Sequence, residues 1–287
     1  MNGIVIIDKP AGWTSQDVVS KLRGVLHTKR IGHGGTLDPM ATGVLPVFVG
    51  RATRAVEFFE HAEKTYETVL RLGITTDTED ITGTVLQKQE VSVTEQQFLD
   101  VLAQFRGEIQ QIPPMYSALK INGQKLCDLA RKGKEVERKP RTITIHALDC
   151  LSFDGQTARL QVVCSKGTYI RTLCKDIGEA LGCGGCMESL RRVAAGAYTI
   201  QEAIPLAQLV ESAQPEIYLR PVDSMFTQYE SVTLTEKQAL RCRNGNSFSV
   251  DLPDGTYRAY DLSGEFLMLA KVESGVMSTI KSFFEVN

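Results

Sequence analysis

The irregular alternation of strand and helix patterns is the feature of this sequence that most constrains its fold. Residues 3–7 form an apolar run typical of a buried strand, and an alternating pattern over 64–73 predicts a half-buried strand. Thr94 and Gln97 form a capping box in front of an amphipathic helix. Because these elements follow no strict βαβ order, the sequence predicts an α+β domain built on a mixed sheet.

Further elements support the same interpretation. Ser15 is the predicted N-cap of an amphipathic helix, and residues 124–132 form a short helix that ends at Gly133. Two strands are predicted over 142–151 and 158–164, and a helix over the later part of 168–181 follows them.

The composition changes after about Asp223, which predicts a second, smaller domain. Thr235 is placed to cap a short helix, and short strands separated by glycine turns follow it, at 247–252, 256–261 and 266–272. This pattern is typical of a small β-barrel. We therefore expect a large main domain over 1–225 and a small β-barrel domain over 230–287.

Composition places the chain among globular proteins. It has 287 residues, of which 43% are hydrophobic and 23% charged, enough to build a core. The apolar start of the chain is too short for a signal peptide, and no apolar run is long enough to span a bilayer. We expect a cytoplasmic protein whose seven cysteines are reduced thiols.

The net charge of −2 hides a local excess of positive charge. The stretch from Lys120 to Arg141, here called the basic segment, holds eight Lys and Arg against three acids, and a smaller basic run covers His27–Arg30. Such a segment fits either a solvated face or a surface that binds nucleic-acid phosphates. Charge alone leaves both alternatives open.

The stretch Gly32–Gly43, here called the glycine-rich loop, carries the most conspicuous acid. Asp38 lies among glycines and precedes a proline, which biases it toward an extended backbone. By itself this composition favours an ordinary turn over a catalytic site. If the chain is extended at Tyr169, this residue and Arg171 point to the same side and could stack on a base and pair with a carboxylate. By themselves, however, these residue types favour a surface Tyr and Arg at the start of a helix.

Two other patterns resemble metal or redox motifs but do not indicate a functional site. Cys183 and Cys186 form a single CxxC with no second pair, and they follow a helix end, so neither a zinc site nor a thioredoxin-like role is favoured. The acidic stretch 75–80 lacks the spacing of a calcium loop and predicts a capped turn.

Taken together, six stretches resemble the motifs of the TruB-type tRNA pseudouridine synthases and follow in that family's order. They are Asp8–Ser15, Gly32–Gly43, Lys64–Tyr66, Tyr116–Lys120, Gly167–Arg171 and Ser189–Arg192. The tail resembles, more loosely, the PUA RNA-binding module of such enzymes. The Cys183 and Cys186 pair departs from the small apolar residues expected there. This departure does not involve any candidate catalytic residue.

The resemblance implies a pseudouridine synthase fold with a cleft along a central mixed sheet, and neither a metal nor an organic cofactor. The substrate would be the T-arm stem-loop of tRNA, with the uridine at position 55 of the tRNA isomerised to pseudouridine. Nothing in the sequence requires more than a monomer. The T-loop uridine would have to leave its stack to be reached.

The resemblance also assigns roles to residues. Asp38 would be the catalytic carboxylate, attacking ribose C1′ or uracil C6, or else helping to abstract the 2′ proton. Arg171 would hold it ionised, and Tyr66 would stack on the uracil and move a proton. The remaining candidates would bind substrate: His33 in the vacated stack, Tyr169 and Leu190 lining the pocket, Lys120 and Arg141 near phosphates.

Two other classes of function stay open on the sequence. One is an RNA-binding module without turnover, although binding alone does not need Asp38, Tyr66 and Arg171 together. The other is a nucleoside or glycoside hydrolase, which typically uses two cooperating carboxylates, whereas only one stands in a conspicuous motif.

Overall fold

The computed structural model describes residues 1–121 and 123–285. Asn122 of the basic segment and the last two residues of the predicted 230–287 domain therefore lie outside the described residues. The α-helices are α1 (Ser15–Val25), α2 (Val56–Phe59), α3 (Glu95–Gln104), α4 (Leu126–Ala130), α5 (Ile170–Ala180), α6 (Leu206–Glu211) and α7 (Glu236–Arg243). None of the helices in the described ranges is long and apolar enough to cross a membrane.

The strands alternate with these helices along the chain. They are β1 (Gly3–Lys9), β2 (Ile31–His33), β3 (Thr42–Val49), β4 (Lys64–Leu72), β5 (Ile74–Thr76), β6 (Val85–Lys88), β7 (Gly107–Gln111), β8 (Lys120–Ile121), β9 (Gln124–Lys125), β10 (Arg141–Phe153), β11 (Thr157–Cys164), β12 (Gly185–Ala195), β13 (Tyr198–Thr199), β14 (Ile204–Pro205), β15 (Glu230–Thr233), β16 (Phe248–Ser249), β17 (Gly255–Tyr260), β18 (Phe266–Glu273) and β19 (Val276–Ser282).

The chain divides into two compact units, and each unit is formed by segments that are not contiguous in sequence. The first unit holds Met1–Asp38, Leu45–Glu60 and the chain from Gln201 onward, and the second holds Pro39–Val44 and His61–Ile200. The borders of these units differ from the domain boundary expected between residues 225 and 230. That boundary stays a prediction.

The second unit is built on a mixed sheet with the strand order β3, β12, β4, β11, β10, β7. β12 pairs with β3 in parallel, and the other neighbours in this unit are antiparallel. Along β4 every second side chain is buried, as its alternating sequence predicts. Helix α5 packs against β12 and β4. This arrangement confirms the predicted α+β class with a mixed sheet.

The first unit places β1 between β14 and β3, and β2 forms a hairpin with β3. Helix α1 buries Val18, Val19 and Leu22, the face that its sequence predicts. The predicted cap is wrong by one residue. Thr14 is the N-cap, its hydroxyl accepts a hydrogen bond from the N–H of Asp17, and Ser15 is the first helical residue.

The same unit ends in a five-stranded sheet with the order β15, β17, β18, β19, β16, which curls into half a barrel. Thr235 caps α7 through a capping box with Gln238, as predicted. The core of this sheet includes Tyr257, Leu267 and Met277. The strands β15 and β19 were not expected from the sequence, and β16 is shorter than expected.

Candidate active site

Asp38 lies in the connection between β2 and β3, where it is partly exposed. The base of this hairpin is fixed, because His33 pairs with Val47 in antiparallel register and the N–H of Gly34 donates to the Pro46 carbonyl over 2.8 Å. A partly exposed carboxylate on a loop with a rigid base can reach a bound molecule without moving far.

The Asp8–Ser15 motif forms the turn between β1 and α1, and its lysine holds that turn closed. Lys9 is fully buried, and its Nζ donates to the carbonyls of Pro10 over 2.9 Å and Trp13 over 2.5 Å. A buried ammonium needs such partners to offset its lost hydration. Lys9 therefore fixes the path of the chain into α1.

Two glycines of the glycine-rich loop are required by packing. A Cβ at Gly34 would overlap the rings of Phe59 and Phe48. Gly43 has φ +102°, and a Cβ there would overlap the carbonyl of Arg192 on the parallel strand β12. These glycines let neighbouring elements approach, which is a structural role within the motif.

The structure brings Tyr66 and Leu190 to adjacent strands of one sheet. Tyr66 lies on the buried face of β4 opposite Arg192, and Leu190 lies opposite Thr68 on β12. Residues directly opposite in an antiparallel pair share a face, so Leu190 is a diagonal neighbour of Tyr66. Both side chains are buried, at 9% and 8% exposure. The strand β12, which carries Leu190, was not expected from the sequence.

Tyr169 and Arg141 are both linked to Gln111, the last residue of β7. The Gln111 side chain, which is buried, accepts from the N–H of Tyr169 over 2.8 Å and donates to its carbonyl over 3.0 Å. Gln111 is also the register partner of Arg141 on β10. The sequence analysis did not single out Gln111, because the strand GEIQQ lacks the apolar alternation that predicts a strand.

Arg171 joins the first turn of α5 to two separate loops. Its guanidinium is buried and donates to the carbonyls of Thr78 over 3.0 Å and Tyr116 over 2.8 Å, and it lies 3.8 Å from the Asp80 carboxylate. Tyr169 is extended but α5 begins at the next residue, so the strand-like alternation expected for Tyr169 and Arg171 does not apply.

The acidic stretch 75–80 forms the capped turn that its sequence predicts. Asp80 is buried and accepts from the Thr78 hydroxyl and from both the N–H and the hydroxyl of Thr82. Glu79 accepts from the Thr172 hydroxyl over 2.5 Å, while burial raises the pKa of its carboxyl. The turn thus presents acidic groups to the start of α5, a support that the sequence did not reveal.

The basic segment is anchored at one end and solvated along most of its length. Leu126 is buried, and its N–H donates to the Leu119 carbonyl over 2.8 Å. Seven of the eight basic residues are exposed, including Lys120 on β8 and Arg141 on β10. Arg138 is the half-buried exception, and it donates to the carbonyl of Pro113 over 3.2 Å. The exposed residues form a surface that can attract phosphates.

All seven cysteines lie within the described residues and are free thiols, as expected. Cys183 and Cys186 are both buried, and burial raises the pKa of Cys186 to about 11, so its thiol is protonated at neutral pH. Within residues 1–121 and 123–285, no group of three or more His, Cys, Asp and Glu is placed to hold a metal ion.

Comparison with known families gives two matches that together cover residues 23–227. Residues 23–170 match the TruB family pseudouridylate synthase N-terminal domain, and residues 171–227 match the tRNA pseudouridylate synthase B C-terminal domain. The sheet of β15 to β19 lies beyond the second match.

Individual relatives match over almost the whole chain. The tRNA pseudouridine synthase B of Clostridium kluyveri is 42% identical, covering 99% of this chain and 100% of that protein. The protein of the same name from Pseudomonas fluorescens is 45% identical, covering 95% of this chain and 92% of its own length.

Solved structures share the fold. A Cbf5-Nop10-Gar1 complex matches with a TM-score of 0.73 and 26% identity, covering 98% of this chain and 85% of the matched chain. An H/ACA RNP bound to a substrate RNA containing 2'-deoxyuridine matches with a TM-score of 0.72 and 24% identity, covering 99% and 85%. These likenesses confirm the predicted pseudouridine synthase fold. From these matches in sequence and structure, we conclude that the chain belongs to the TruB family of pseudouridylate synthases.

Proposed function

We propose that this protein isomerises the T-loop uridine at position 55 of tRNA to pseudouridine, with Asp38 as the catalytic carboxylate. The observation that carries the proposal is the family match across residues 23–227, which includes the glycine-rich loop and the segments that carry Tyr66 and Arg171. Relatives named tRNA pseudouridine synthase B, at 42% to 45% identity over most of the chain, support tRNA as the substrate.

The reaction breaks the N-glycosidic bond of uridine, turns the uracil and rejoins it to the ribose through carbon. The bond electrons stay within the nucleoside, so the reaction is redox-neutral and needs no hydride carrier. The Asp38 carboxylate can add to ribose C1′ or to uracil C6 as a nucleophile, or it can take the ribose 2′ proton. Each route requires an ionised carboxylate.

Three side chains serve this chemistry in the proposal. Arg171 supplies positive charge that keeps the carboxylate of Asp38 ionised. Tyr66 stacks on the target uracil and moves a proton, for which its position on the buried face of β4 is suitable.

The other proposed residues hold the RNA. The target base leaves the loop at a cost of a few kcal/mol, His33 takes its place in the stack, and Tyr169 and Leu190 line the pocket for the flipped base. Lys120 and Arg141 contact phosphates, which their exposure permits. The domain over 230–287 adds RNA-binding surface, and the enzyme acts as a monomer in the cytoplasm.

The test is conversion of a T-arm stem-loop by the purified protein. We expect a carbodiimide-dependent stop in reverse transcription at the T-loop uridine, with the mass of the RNA unchanged. Release of free uracil would identify a hydrolase instead. Tight binding of the stem-loop without any conversion would identify an RNA-binding module and contradict the proposal.

A further inference from the structure

Ser15 makes two hydrogen bonds to one residue of the glycine-rich loop. Its Oγ accepts from the N–H of Leu37 over 2.8 Å and donates to the carbonyl of Leu37 over 3.2 Å. Ser15 is 1% exposed and Leu37 is 3% exposed, so both bonds are shielded from water. A single hydroxyl therefore fixes both polar groups of the Leu37 backbone, directly before Asp38.

The Ser15 hydroxyl is available for this because it does not cap its own helix. Thr14 and Asp17 form the capping box of α1, and each side chain bonds the backbone of the other. Helix α1 is in turn held by its buried Val18 and Leu22. Ser15 thus joins the loop to a rigid element.

The peptide planes on both sides of Asp38 are restricted, the first by Ser15 and the second by Pro39. The plane before it contains the Leu37 carbonyl, which Ser15 holds, and a peptide plane moves as one unit. The plane after it leads into Pro39, whose ring disfavours a helical backbone at Asp38. With both planes restricted, the Asp38 side chain has fewer directions in which it can leave the backbone.

We propose that Ser15 is a positioning residue for the Asp38 carboxylate. This inference rests on the proposed function, in which that carboxylate is the reacting group. In this role Ser15 acts through the Leu37 backbone, to which it makes both hydrogen bonds. A reacting group that moves by about 1 Å can lose roughly a hundredfold in rate.

The experiment compares three variants in single-turnover conversion of the T-arm stem-loop at saturating enzyme. Ser15→Ala removes both hydrogen bonds, and Ser15→Cys keeps the side-chain size while weakening both bonds. The control, Asp17→Ala, removes an exposed carboxylate from the same helix start and leaves the Ser15 hydroxyl in place. RNA affinity and thermal unfolding are measured for each variant.

We expect Ser15→Ala and Ser15→Cys to lower the single-turnover rate by about ten- to a hundredfold while RNA affinity stays within about threefold. Asp17→Ala should lower the melting temperature and keep the normal rate. The inference is overturned if folded Ser15→Cys reacts at the normal rate, or if Asp17→Ala loses as much rate as the Ser15 variants.

Failure of this inference is distinguishable from failure of the proposed function. Full activity in folded Asp38→Asn would remove the proposed role of Asp38, and with it the group that Ser15 positions. Inactive Asp38→Asn together with fully active Ser15 variants would overturn the positioning role alone.

Discussion

Gln111 clamps Tyr169 by accepting from its N–H and donating to its carbonyl, with both bonds at or below 3.0 Å. The side-chain amide makes both bonds to one backbone residue because it carries an acceptor and a donor side by side. The clamp holds Tyr169, which is the N-cap of α5. Tyr169 lies two positions before Arg171.

We expect Gln111→Glu to destabilise the protein by about 1–3 kcal/mol, because a carboxylate cannot donate to the Tyr169 carbonyl and would be buried there. If Tyr169 lines the base pocket, the KM for the stem-loop should rise as well. Urea unfolding and steady-state kinetics measure both effects. The matched control is Gln110→Glu at the exposed neighbouring position, which should change neither.

Asp38→Asn should abolish conversion of uridine and keep tRNA affinity within about tenfold, a change of ~1.4 kcal/mol. The amide has the size of the carboxylate but is neither a nucleophile nor a base of comparable strength. Single-turnover assays and a binding titration on the folded variant provide the measurement. A near-normal rate would exclude Asp38 as the reacting group.

The basic segment should contribute phosphate contacts to tRNA binding. Replacing Lys132, Lys134 and Lys139 with Ala should lower the slope of log affinity against log salt by about 2 units. These three are exposed, whereas Arg138 also holds the Pro113 carbonyl and is better left in place. The rate of conversion of bound RNA should change little, since phosphate contacts position the substrate.

A control for this prediction uses exposed lysines outside the segment. Lys21→Ala and Lys88→Ala remove the same kind of charge from α1 and β6. An equal loss of slope per lysine in the control would show that only net charge matters. An unchanged slope in the triple variant would show that the segment is a solvated face.

The stability of the fold should depend on Asp176 of α5. Burial raises the pKa of its carboxyl from 3.8 to about 6, so the folded protein binds this proton more tightly than the unfolded chain. Its contribution to stability is therefore complete below about pH 4 and is lost as the pH rises through 6.

Asp176→Asn should accordingly stabilise the protein at pH 8 by about 1 kcal/mol, a figure discounted because the side chain is partly exposed. The gain should be smaller at pH 5. Thermal unfolding at the two pH values provides the measurement, with Glu211→Gln at an exposed position of helix α6 as control. An equal gain at both pH values would contradict the titration of Asp176.

Local sequence predicted those parts of the fold that depend on local physics. The alternation along β4 and the capping box at Thr94 arise from neighbouring residues, and both are confirmed. The strand β12 was missed because its sequence contains Glu188 and two arginines, a pattern that suggests exposure. In the structure Arg192 is buried, and its Nε donates to the Val44 carbonyl over 2.7 Å.

The same distinction applies to the candidate site. The motifs identified Asp38, Tyr66 and Arg171 as residues of interest, and their proposed roles still await experiment. Gln111 and Asp80 support these motifs from strands and turns far away in sequence, so no local pattern could reveal them. The cap was misplaced by one residue because Thr14 and Ser15 have equally suitable hydroxyls, and only packing against Leu37 distinguishes them.

The glycine at position 43 shows that membership of a motif and participation in chemistry are separate properties. Any side chain there would collide with the backbone of β12, so Gly43 is dictated by how closely two parallel strands approach. A saturation library should therefore recover almost only glycine at this position, even under selection for folding alone. Intolerance to substitution within the glycine-rich loop thus measures the spacing of the sheet as much as it measures catalysis.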